Sequence, residues 1–130
     1  MPNGFAVCIV DDDESVRVAT TRLLRLEGFE AYAFPSADEY LQSGRVDDTR
    51  CLIADVRLDG MSGPELYQHL RNQGRRIPTV FITAIADDRI KAWATDAGAI
   101  AFLAKPFDGM TLVNSVRKAF AEGGGSTVGR

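Results

Sequence analysis

The sequence predicts a doubly wound α/β fold, with a five-stranded parallel sheet and five helices packed on its two faces. Three observations predict it. Five short apolar runs alternate with five longer stretches of helical period, the alternation that builds parallel sheets. The apolar runs are continuous rather than alternating, as strands covered on both faces must be. The 130 residues, 45% hydrophobic and 25% charged, suit one domain with a core of ordinary size that needs no staple.

The first strand is Ala6-Val7-Cys8-Ile9-Val10, which stops abruptly at Asp11-Asp12-Asp13-Glu14. Asp13 can cap the helix that follows. There Val16, Ala19, Leu23 and Leu26 recur at three- and four-residue steps, and Gly28 is placed to end it. Glu30–Phe34 reads as the second strand. Ser36 followed by Glu39 is the pattern of a capping box and opens a short helix over Tyr40 and Leu41. A polar loop over 43–50 leads to Cys51-Leu52-Ile53-Ala54, the third strand, which ends in Asp55.

Residues 57–63 read as loop, and Pro64 suits the first turn of a third helix with Leu66, Tyr67 and Leu70 inside, ending near Gly74. Thr79–Thr83 is the fourth strand. Asp87 or Asp88 starts the fourth helix, which runs to Gly98 and carries Trp93 as a core or half-buried residue. Residues 100–103 form the fifth strand, stopped by Lys105-Pro106-Phe107. Asp108 caps a last helix through Leu112, Val113, Val116 and Phe120. One domain is expected over 1–122, with 123–130 a glycine-rich flexible tail or the start of a linker.

The formal charge of −3 argues against a domain that itself coats nucleic acid or a membrane surface. No apolar run approaches the roughly 20 residues of a membrane span. The first residues lack the basic-then-apolar pattern of a secretory signal, so a cytoplasmic location is expected. Two cysteines inside apolar runs read as buried small hydrophobes in a reducing compartment rather than a redox pair.

Ligands of open parallel sheets bind outside the carboxyl ends of the strands. Those ends carry Asp11 and Asp12, Asp55, Thr83 and Lys105, so four of five strands deliver a polar group to one edge. Carboxylates sharing a crevice repel by about 4 kcal/mol per pair at ~4 Å and an effective dielectric near 20. Three of them against one lysine leave two negative charges, which a divalent cation neutralises. An oxygen-only ligand set suits Mg²⁺, with Mn²⁺ as the substitute. Metal, lysine and hydroxyl around a carboxylate are equipment for phosphoryl transfer, and a carboxylate can itself be the nucleophile. Asp55, alone at its strand end, is the best candidate. Asp11 and Asp12 are better placed to hold metal together.

These residues resemble the receiver domain of two-component response regulators, over nearly the whole chain from about Phe5 to Ala121. The motifs are Val10-Asp11-Asp12, Asp55-Val56-Arg57-Leu58 with Gly63 eight residues after Asp55, Thr83-Ala84, and Lys105-Pro106-Phe107. Met61-Ser62-Gly63 and Ala97-Gly98-Ala99 with Phe102 are most similar to the FixJ-like subgroup. The resemblance implies a flavodoxin-like sheet in the order 2-1-3-4-5 and a cis bond between Lys105 and Pro106. It implies Asp55 as acceptor of a phosphoryl group from a sensor histidine kinase or histidine phosphotransfer protein. Asp12 and Asp55 would ligate Mg²⁺, Asp11 would do so through water, and the Arg57 carbonyl would be a further ligand. Lys105 would pair with the phosphoryl oxygens. Thr83 would swing towards them and Phe102 would turn inward behind it, changing the face of the fourth helix, fifth strand and fifth helix for dimerisation or output-partner binding. Such a chain is a self-phosphorylating signalling domain rather than an enzyme, and it reaches DNA only through a separate output domain.

Asp59 stands where the family usually has proline. It is expected to leave a more mobile loop and weaker metal binding, and reads as solvated rather than as a fourth pocket acid. Two other functions share these residue types. A metal-dependent phosphatase acting on outside substrates usually has a second aspartate two residues after the nucleophile, where this chain has Arg57. A pseudo-receiver that signals by contact alone would not need the full acidic set.

Overall fold

The computed structural model describes residues 5–127. Its elements are β1 (Ala6–Val10), α1 (Glu14–Leu26), β2 (Glu30–Phe34), α2 (Ala37–Gln42), β3 (Thr49–Asp55), α3 (Gly63–Asn72), β4 (Thr79–Thr83), α4 (Asp88–Ala97), β5 (Ala101–Ala104) and α5 (Gly109–Thr127). All strand pairs are parallel, in the order β2-β1-β3-β4-β5. From β1 the chain steps outward to β2, then crosses back to β3 on the other side of β1. That reversal opens a crevice at the carboxyl ends of β1 and β3.

The sheet separates two apolar layers. On one face Val7, Ile9, Ile53, Val80 and Ile82 pack against Leu24 of α1 and Leu112, Val113 and Val116 of α5. On the other, Val10, Leu52 and Phe81 meet Tyr40 of α2, Leu66 and Leu70 of α3, and Ala94 of α4. β1 and β4 are buried at every residue, which explains the uninterrupted apolar sequence of β1 and the apolar centre Val80-Phe81-Ile82 of β4. Cys51 belongs to the first layer and Cys8 to the second, so the sheet itself stands between the two free thiols and they form no redox pair.

Helix starts follow the side chains that satisfy their first N–H groups. Asp13 accepts from Ser15 N and Val16 N, Ser36 from Glu39 N, and Asp87 from Arg89 N. Ser62 and Glu65 form a complete capping box around Pro64, with the same Ser-x-x-Glu spacing as Ser36 and Glu39. Asp108 Oδ2 accepts from Thr111 N at the head of α5.

Four boundaries differ from expectation. A 3-10 turn at Val46–Asp48 interrupts the expected loop over 43–50, and β3 starts at Thr49. Polar Thr49 joins the strand because its hydroxyl bonds Tyr40 Oη at 2.7 Å and the Arg45 carbonyl at 2.8 Å. β5 is shifted by one residue, because Ile100 N donates to Thr79 O before the ladder from Ala101 begins. The backbone of α5 continues through Thr127, past the expected end of the domain at residue 122. Residues 128–130 of the expected tail lie outside the described residues. No helix among the described residues is long and apolar enough to cross a membrane.

Candidate functional site

The crevice gathers the strand-end residues. One carboxylate oxygen each of Asp11, Asp12 and Asp55 lies within 4.8 Å of the others. Asp11 is fully buried, Asp55 is 5% exposed, and Asp12 faces solvent. Lys105 reaches in from the end of β5. Its Nζ lies 2.8 Å from Asp55 Oδ2, to which it donates a hydrogen bond, and 2.8 Å from Asp11 Oδ2. The peptide between Lys105 and Pro106 is cis.

The two buried carboxylates are held differently. Asp55 Oδ1 accepts from Arg57 N at 2.9 Å, which folds the following loop back over the strand end. Asp11 Oδ1 accepts from Asp13 N at 2.8 Å. Asp11 Oδ2 touches Lys105 Nζ as an ion pair but has no aligned donor. Burial, with the charge of Asp55 added, holds the Asp11 carboxyl above the usual carboxylate range, against the pull of Lys105 and the Asp13 N–H. Burial works to lower the Lys105 ammonium, but its contacts with Asp11 and Asp55 outweigh that and raise it.

One ammonium thus serves two carboxylates while Asp12 stands beside them without compensation. Three hard oxygen donors, one of them buried without an aligned partner, fit a hard divalent cation and no softer metal.

The loop geometry depends on glycine at one point. A Cβ on Gly63 would lie 2.3 Å from the Asp55 carbonyl oxygen and 3.3 Å from Val56 Cα, so α3 begins against the backbone that carries Asp55. Asp59 is exposed and outside the acid cluster, as a solvated loop residue should be.

Thr83 and Phe102 occupy the adjoining strands without entering the acid cluster. The Thr83 hydroxyl donates to Ile85 O at 3.0 Å and accepts from Ile85 N at 3.2 Å, so both of its functions are turned into the loop after β4. Phe102 is half-buried, paired in register with Phe81, and packs on the layer that contains Trp93. Trp93 is itself half-buried, with its ring against Tyr67 and Phe81 at 5.8 and 5.7 Å.

Two groups next to this machinery escaped the sequence reading. Arg17 Nη1 donates to the Asp11 carbonyl at 2.8 Å. Tyr67 Oη donates to the Ala97 carbonyl at 2.6 Å, with Arg71 Nη1 2.8 Å from the same hydroxyl. Helical side chains lean towards the N-terminus, and that rule places a long residue at the end of the first turn near the preceding loop. No local pattern announces the Tyr67 contact, which joins residues thirty apart.

The profile described as the response regulator receiver domain matches residues 7–117. Nodulation protein W of Bradyrhizobium diazoefficiens is 43% identical over 110 residues, 85% of this chain and 48% of that protein. The solved structure of the response regulator StyR superposes with a TM-score of 0.87 at 39% identity, over 96% of this chain and 63% of that one. The crystal structure of FixJ-N does so with 0.79 at 32%, over 93% and 96% respectively. The chain spans about half the length of the curated relatives it matches.

Proposed function

The chain belongs to the response regulator receiver domain family of two-component systems, and from that premise we propose that it is a phosphoacceptor switch whose accepting group is Asp55. The observation that carries this reading is the pairing of a nearly buried Asp55 with Lys105 at 2.8 Å inside a three-carboxylate crevice.

In the proposed reaction an Asp55 carboxylate oxygen attacks the phosphorus of a phosphohistidine on a sensor kinase or phosphotransfer protein. The P–N bond breaks, and the imidazole leaves with its electron pair. Asp12 and Asp55, with the Arg57 carbonyl and Asp11, would hold Mg²⁺, which when bound would offset charge on the transferred oxygens. Lys105 supplies a second, covalently tethered positive charge and orients the accepting carboxylate. A depression of about 500 Å³ beside Lys105, lined by Val16, Ala19, Leu23, Pro106 and Phe107, gives the donor protein an apolar seat next to the acceptor.

The acyl phosphate carries about one more negative charge than the carboxylate and needs donors. Thr83 gains its phosphoryl contact only by giving up both bonds to Ile85. Its departure opens space for Phe102, which couples the pocket to the face formed by α4, β5 and α5. Phosphate then shifts a two-state equilibrium by its differential affinity for the two states, favouring self-association or an output partner on that face.

The test is exposure to acetyl phosphate with and without Mg²⁺, read by intact mass and by size-exclusion chromatography. The parent is expected to gain one phosphoryl group only with the cation, and Asp55→Asn none. A modification that survives Asp55→Asn would overturn the assignment.

A further inference from the structure

We propose that Arg17 is a positioning residue of the acid pocket: from α1 it clamps the main-chain oxygen of Asp11 and so fixes the turn that presents Asp11 and Asp12 to a divalent cation. The inference rests on the metal-holding role given to those acids above.

The polar atoms of Asp11 are almost all committed. Its N–H donates to Phe34 O at 3.1 Å, tying it to β2. Its Oδ1 accepts from Asp13 N, and its carbonyl accepts from Arg17 Nη1 at 2.8 Å. Three fixed bonds therefore leave Oδ2 as the atom of Asp11 that faces Lys105 and the crevice. The Asp11 carbonyl belongs to the same rigid peptide plane as the Asp12 N–H, so the clamp also sets the direction in which the chain enters Asp12. Asp12 has no side-chain hydrogen bond or ion pair of its own among the described residues. Its place beside Asp11 and Asp55 is set by the backbone alone.

Arg17 is suited to this task by where α1 begins. Its own N–H donates to the Asp13 carbonyl at 3.0 Å as part of the first helical turn, which fixes its Cα. Its side chain then leans back over the cap towards Asp11. A guanidinium gives a carbonyl a charge-assisted hydrogen bond, stronger than a neutral donor could. Without it the partly buried carbonyl would lack a donor, and the peptide plane could rotate to find water.

Arg22 separates this clamp from a general effect of charge. It lies on the same helix, is exposed, and makes no bond to the acidic turn among the described residues. Calorimetric titration with MgCl₂ of the parent, Arg17→Gln, Arg17→Lys and Arg22→Gln tests the proposal, alongside thermal melting and the amide NMR shift of Asp12. Arg17→Gln is expected to weaken Mg²⁺ binding about tenfold and to move the Asp12 amide signal, while Arg22→Gln changes affinity less than twofold.

A merely structural arginine would lower the melting temperature and leave the affinity of the folded protein within twofold of the parent; that result overturns the proposal. Equal losses in Arg17→Gln and Arg22→Gln overturn it too, since charge alone would then suffice. Should Arg17→Gln fail to fold, Arg17→Lys decides by the same twofold criterion. A parent that takes up no Mg²⁺ sinks the metal-holding role itself, and this proposal with it. A parent that binds while Arg17 proves neutral sinks only the clamp.

Discussion

Gly63 has no room for a side chain, and the reason lies at Asp55. The nearest atom to its absent Cβ is the main-chain oxygen of Asp55, at 2.3 Å, and backbone cannot move aside as a flexible side chain would. Gly63→Ala is expected to destabilise the domain by about 2–3 kcal/mol, measured by urea unfolding. If Asp55 accepts phosphate as proposed, the same substitution should also slow phosphorylation, because the clash displaces Asp55. Cys8 and Cys51 behave oppositely, as inert filler. Burial pushes their thiols from 9.0 up to about 11 and about 12. A folded-state value raised in this way means that the native protein keeps protons the unfolded chain releases. The contribution is whole below pH 9 and is lost as pH rises through about 11. Native protein is expected to resist alkylation at pH 8, and its denaturation midpoint to fall above pH 9. The strand-end acids and Lys105 were legible in the sequence because each directly follows an apolar run. Arg17 was not, because its role is a reach across the helix cap.

Among the elements, α4 is held unevenly. Its last carbonyl, Ala97 O, takes hydrogen bonds from Tyr67 Oη at 2.6 Å and Arg71 Nη1 at 3.4 Å, both from α3. Cations suit the negative end of a helix. Its first turn is capped only locally, by Asp87. The end nearest Thr83 is therefore the freer one, and the Trp93, Tyr67 and Phe81 rings sit between it and the pinned end. Tyr67→Phe is expected to cost about 1–2 kcal/mol and to speed hydrogen exchange of the Gly98 and Ala99 amides, which bond into the last turn of α4. Unchanged exchange there would show that Arg71 holds the helix end alone. The starts of α1, α2, α4 and α5 were readable from their caps, since a cap is a contact within four residues. The start of β3 was not, because Thr49 enters the sheet through a bond to Tyr40 on another element.

At the scale of the whole molecule, the pocket sets three carboxylates against one ammonium, a repulsion that the proposed Mg²⁺ would relieve. Mg²⁺ at ten times its dissociation constant is expected to add about 1.4 kcal/mol and to raise the melting temperature by about 3–5 °C. Asp11→Asn and Asp12→Asn should remove most of that gain, and calorimetric melts with and without the ion check it. The sequence by itself determined the layered α/β architecture, the five-plus-five alternation and the residues at the strand ends, because these depend on apolar period, caps and chain order, all local. The strand order came from family likeness, which the structure bears out. Only the tertiary structure decided which of those residues meet. It set Lys105 between Asp11 and Asp55, turned the Thr83 hydroxyl towards Ile85, put the cysteines on opposite faces and brought Tyr67 to the end of α4. Each of these depends on how far a side chain reaches across elements distant in sequence, and periodicity carries no information about that distance.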